Sequence, residues 1–156
     1  MSKSLVLFST LAAAVSLAIT AAVAQTAPPF APSLGDLMSI LVQPRHAKLA
    51  LGGQARNWQY AAFAVHELEE SFERIEKTVP RYRDRSMSDL LKIVQEPIEA
   101  VEAAIKARDA GRFDAALAKL TQACNDCHRT TEHAMIVIQV PRTSAFPNQS
   151  FAPQRP

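Results

Sequence analysis

Apolar residues recur at alternating steps of three and four along most of this chain, the spacing that places side chains on one stripe of an α-helix. The clearest run follows Asn57, an N-cap residue by type. Trp58, Ala61, Val65, Leu68, Phe72, Ile75 and Val79 form one seam, and Pro80 ends it. Glu67, Glu69, Glu70, Glu73 and Glu76, with Arg74 and Lys77, lie off the seam as a solvated face. A second run, capped by Ser86 or Ser88 with Asp89 in its first turn, carries Leu91, Val94, Ile98, Val101 and Ile105. Pro97 inside it predicts a local bend, and Gly111 closes it. A third begins near Arg112. Phe113, Leu117, Leu120, Cys124, Cys127, Thr131 and Ala134 share its seam, and the chain becomes irregular after about Ile138. The weakest run covers residues 34–51, with Ser33 as N-cap. Leu34, Met38, Leu41, Arg45 and Leu49 fall near one face, but Pro44 predicts a kink or a restart and Gly52-Gly53 an end.

Three strong seams and one weaker, joined by short connections, predict an all-α fold: an antiparallel four-helix bundle over residues 34–138. The β-branched run Ile136-Val137-Ile138 is the only strand candidate and is too isolated to build a sheet. Residues 139–156 read as a proline-rich, non-helical tail. It either folds back over the edge of the cysteine-bearing site in the last helix or remains disordered.

The first 24 residues change the picture. Lys3 precedes an almost wholly apolar stretch, residues 5–23, which ends in the small-x-small site Ala22-Val23-Ala24. This is the form of a secretory signal peptide cleaved after Ala24. An uncleaved membrane anchor is the rival reading. Residues 25–33 then form a proline-rich linker. Of the 156 residues, 132 follow the cleavage site, enough for one modest core. Their formal charge is +1, one less than the +2 of the whole chain because Lys3 is lost. Nothing in that balance points to nucleic acid, and no membrane insertion is expected after cleavage.

Chemistry concentrates at Cys124-Asn125-Asp126-Cys127-His128, where both cysteines of the chain occur. Cys-x-x-Cys-His is the attachment pattern of a c-type haem. Each thiol adds to one porphyrin vinyl group, and the imidazole that follows ligates the iron. On a helix the three side chains share one face, here the core-facing seam. The expected cofactor is therefore one covalent haem c on Cys124 and Cys127, with His128 as proximal iron ligand. A disulfide between the cysteines and a zinc site helped by His133 are the alternatives. The first lacks the βαβ context of a redox pair, and the second lacks a further Cys/His pair.

The sixth iron position has two candidates in the first helix, His46 and Met38. In an antiparallel pair, residues equally far from facing ends lie level. A fourth helix ending near Ile138 brings His128 level with His46; an end near His133 moves the match toward Met38. His46 is preferred on the first boundary. Plain alternatives are a surface histidine and a packing methionine. Arg45 is a candidate for a haem propionate, since a guanidinium suits a carboxylate. His66 reads as a helix-flank residue, and His133 shares a helix with His128 and so does not reach the opposite haem face.

With its export signal, its helical seams and Cys124-x-x-Cys127-His128 in the last helix, the chain resembles the class II c-type cytochromes, the cytochrome c prime group and its low-spin relatives. The resemblance covers residues 34–138. It implies thioether links at Cys124 and Cys127, proximal ligation by His128, a periplasmic location and often a homodimer. Its low-spin members take a methionine from the first helix as sixth ligand, here Met38. Its high-spin members leave that position open and bind small gases. Two departures stand out: 28 residues follow His128, and His46 is an unusual ligand for that group. The resulting expectation is a periplasmic mono-haem cytochrome that carries one electron between redox partner proteins. A gas-binding or sensing haem protein, and a helical interaction module with a disulfide or zinc clip, are the alternatives. No acid/base pair or nucleophile argues for an enzyme.

Overall fold

The structure is a computed structural model, described here for residues 31–154. The expected signal segment 1–24 and all but the last three residues of the expected linker 25–33 lie outside the described residues. The described chain is mostly helical, with four helices and one two-stranded turn of sheet. The first, α1, spans residues 34–54 in three pieces: α-helix Leu34–Leu37, π-helix Met38–Val42 and α-helix Gln43–Gln54. α2 is Trp58–Thr78, β1 Arg81–Tyr82, β2 Arg85–Ser86, α3 Met87–Ala107 and α4 Ala110–Thr130.

The expected caps form. Ser33 and Asp36 make a reciprocal capping box, Asn57 accepts from the Tyr60 N–H, and Ser86 accepts from the Asp89 N–H. The seams become the core. Phe113, Leu49, Leu68, Ile75, Met87, Leu117, Leu120 and Val101 are fully buried. Each contributes on the order of 1.5–3 kcal/mol of transfer free energy. α1 packs on α2 and α4, α2 on α3, and α3 on α4.

Pro44 marks a restart: it stands at the start of the piece Gln43–Gln54, where its missing N–H costs least, just after the π-turn. Four other signals differ from expectation, those at Gly52, Gly53, Gly111 and the end of α4. Gly52 and Gly53 do not end α1. Both are buried inside it because neighbours leave no room for a side chain: a Cβ at Gly52 would meet the Tyr60 ring and one at Gly53 the Phe113 ring. Gly111 does not close α3. That helix stops at Ala107 with Arg108 in the left-handed conformation (φ 52°), and Gly111 lies in the first turn of α4, which Asp109 caps.

The fourth difference matters most. α4 stops at Thr130, eight residues short of Ile138. Its end is a Schellman turn: the His133 N–H donates to the His128 carbonyl and the Glu132 N–H to Arg129, with Glu132 left-handed (φ 64°). The Thr130 and Thr131 hydroxyls both donate to the Cys127 carbonyl, which holds the stop.

The described part of the tail, residues 139–154, is non-helical and packed rather than loose. Gln54 donates to the Pro141 carbonyl, Lys48 sits over the Phe146 ring, and Gln149 donates to the Tyr60 hydroxyl. Phe151 is buried edge-on against Tyr60.

Candidate functional site

Cys124, Cys127 and His128 line one cavity of about 200 Å³. Its opposite wall comes from α1: Leu34, Met38, Val42 and His46. In a regular α-helix, residues eight apart are rotated by roughly 80° from one another. The wider π-turn at Met38–Val42 reduces that drift and brings Met38 and His46 onto one wall. Phe72 of α2 and Met87, Leu90, Leu91 and Val94 of α3 supply apolar sides. Tyr82 and His133 add polar groups at the rim.

The two thiols are free and sit in poor solvent for a charge. Burial, with Cys127 close by, pushes the Cys124 thiol up to about 12. Burial raises Cys127 as well, against a smaller opposing pull from Arg85. Both are therefore neutral thiols in apolar surroundings.

His128 is oriented from behind. Its Nδ1 lies 2.8 Å from the Ile136 carbonyl oxygen. A carbonyl only accepts, so Nδ1 carries a proton, and in the neutral ring Nε2 keeps its lone pair. This is the arrangement that fixes a metal-ligating imidazole. Ile136 is held in turn through Asn125, which donates to the Ile138 carbonyl (2.9 Å) and accepts from the Ile138 N–H (2.7 Å).

His46 is 3% exposed, and burial lowers its imidazole to about 4, so it is neutral at pH 7. Its Nε2 lies 2.9 Å from the Thr121 hydroxyl. That hydroxyl gives its only proton to the Leu117 carbonyl, so Nε2–H of His46 is the donor.

The level of the α1 residues follows from contacts. α1 and α4 run in opposite directions, since Gly53 lies against Phe113 and His46 against Thr121. Between those contacts α1 steps back seven residues and α4 advances eight. A further step of that size leads from Thr121 to Arg129, next to His128, and from His46 to Ser39, next to Met38. With α4 ending at Thr130 instead of Ile138, the level matched to His128 moves from His46 toward Met38.

Arg45 does not line the cavity. Its guanidinium donates to the Ser71 hydroxyl at 2.7 Å and pairs with Glu67 at 3.0 Å, both on α2. His66 is exposed beside Glu70. His133 lies beyond the end of α4 and reaches the rim, its Nε2 3.4 Å from the Tyr82 hydroxyl. Three residues that sequence reasoning passed over are part of the site. Thr121, which accepts from His46, stands beside the seam residue Leu120, one turn before Cys124. Tyr82 and Asn125 act through partners distant in sequence, for which periodicity gives no signal.

The donor set suits a covalent haem: two thiols and an imidazole with a free Nε2 on one wall, a thioether and a neutral imidazole on the other, apolar groups between. Sites that enclose a whole drug-sized ligand run to roughly 300–1,000 Å³, so a porphyrin seated here is only partly enclosed. Among the described residues no group of three or more His, Cys, Asp or Glu side chains is placed to hold a bare metal ion, and no helix is long and apolar enough to cross a membrane. No family model matches the chain, and no match was found among curated proteins or solved structures.

Proposed function

We propose that the chain is an exported mono-haem c-type cytochrome that passes single electrons between partner proteins, built as an antiparallel four-helix bundle around its haem. One observation carries the reading. Cys124, Cys127 and His128 meet Met38 across a single apolar cavity, with His128 held so that Nε2 is free. Haem bound there supplies a one-electron iron couple. Cys124 and Cys127 fix it covalently, and His128 ligates the iron. Met38, level with His128, is the sixth ligand. His46 stays neutral on Thr121 beside it and adds no charge to the site. The apolar walls exclude water, and the open mouth leaves a haem edge where a partner can exchange an electron.

The test is optical. Protein from the exported fraction is extracted with acid-acetone, then its spectra are recorded oxidised, reduced, and reduced with carbon monoxide. The expected result is retained haem and a low-spin reduced spectrum that carbon monoxide leaves unchanged. A high-spin spectrum that shifts with the gas replaces electron transfer with gas binding. Loss of all haem on extraction refutes both and leaves the helical interaction module.

A further inference from the structure

The segment after α4 does more than follow the motif: it contacts the motif's own variable residue. Asn125 makes two hydrogen bonds to the backbone of Ile138, one as donor and one as acceptor. Two residues earlier, the Ile136 carbonyl accepts from His128 Nδ1–H. Ile136 and Ile138 also line the cavity. The Schellman turn at Glu132 is what reverses the chain so that residues 136–138 run back beside α4. His128 has no other hydrogen-bond partner for its ring among the described residues.

We propose that Asn125 is a positioning residue for the proximal imidazole: by clamping Ile138 it presents the Ile136 carbonyl to His128 Nδ1–H, and so sets the ring's orientation and its electron donation to the iron. This rests on the haem reading above. The physics is general. A carbonyl that accepts from Nδ1–H gives the imidazole more anionic character, which makes it a stronger donor and favours the more positive, ferric iron. Losing that acceptor therefore raises the reduction potential. A second effect is local. An Nδ1–H released from the carbonyl meets solvent, because this side of the ring is exposed.

Two variants break the clamp from opposite sides. Asn125→Ala removes the side chain, and Ile138→Pro removes the N–H that donates to Asn125 while keeping the Ile138 side-chain position apolar. Gln122→Ala is the control: Gln122 is on the same helix, exposed, and bonded only to Asp126. Each is purified with its haem, checked for native helix content by circular dichroism, and measured by redox titration and by proton NMR of the proximal Nδ1–H. Both clamp variants are expected to show a raised potential and a solvent exchange of that proton about two- to tenfold faster, the factor that follows from losing one ordinary hydrogen bond. The control keeps both values. Retained haem with potential and exchange unmoved in both clamp variants overturns the clamp and leaves the cytochrome reading standing. Absence of covalent haem in the parent protein overturns both.

Discussion

A buried imidazole is an acid-sensitive element wherever it lies. His46 is ordinary in type, but burial lowers it from 6.5 to about 4. Between those values the unfolded chain binds a proton that the folded chain refuses, so stability rises with pH through the window. The contribution is complete above about pH 6.5 and is lost as pH falls toward 4. Its size is on the order of 3 kcal/mol. His46→Leu is expected to flatten the acid side of the stability curve between pH 6.5 and 4, measured by urea unfolding at several pH values. Thr121 keeps its bond to the Leu117 carbonyl in that variant, so no new unpaired hydroxyl offsets the gain. An unchanged slope would assign the acid sensitivity to other groups. At the iron, the expected division is different. Met38→Ala turns the reduced spectrum high-spin and open to carbon monoxide, while His46→Ala leaves it low-spin. The reverse outcome returns the sixth position to His46.

Glycine means two things in a helical chain, and only packing tells them apart. Gly53 is a contact glycine: a Cβ there runs into the fully buried Phe113 ring. Gly53→Ala gains about 1 kcal/mol of helix propensity, yet overpacking against a wedged ring costs about 1–3 kcal/mol or more. A net loss of about 2 kcal/mol is expected in thermal or denaturant unfolding. Gly52→Ala presses on the half-buried Tyr60 ring, 2.6 Å from the added Cβ and held by Gln149 and Phe151, and is expected to cost less than Gly53→Ala, about 1 kcal/mol net. Where the chain does turn left-handed, it uses Arg56, Arg83, Arg108 and Glu132 instead of glycine. Arg108→Gly relieves that conformation at an exposed helix end and is expected to stabilise the protein by up to about 1 kcal/mol. This pattern explains what the sequence disclosed and what it hid. The seams and caps follow from side-chain type and period, so α2, α3 and the face that carries the cysteines were readable. The ends of α1, α3 and α4 were not, because the residues that signal a stop lie inside helices and the stops lie on charged residues. That boundary carries into the candidate site: moving the end of α4 from Ile138 to Thr130 moves the level matched to His128 from His46 toward Met38.

Across the whole molecule, the tail joins the motif to the far end of α1. It leaves α4 at Glu132, which pairs with Arg83 in the hairpin, passes Asn125 and His128, then reaches Gln54 and Lys48. It ends with Phe151 buried against Tyr60 and with its carbonyl accepting from Asn57, the residue that caps α2. One long segment thus touches α1, α2 and α4. The residues it touches were visible in the sequence as caps and polar positions, but not as partners, since the contacts span up to 95 residues of chain. Phe151 is the anchor of this course. Phe151→Ala is expected to cost about 2–4 kcal/mol, by loss of buried apolar area and of the edge contact with Tyr60. Hydrogen exchange locates the effect. If the tail is one continuous strap, protection falls at Gln149 and also at Ile138, although Ile138 lies far from the mutation and its own partner, Asn125, is untouched. Loss confined to residues near 151 would instead mean that the Asn125 clamp holds its end of the tail independently, and that the proximal histidine is insulated from events at the other end of the molecule.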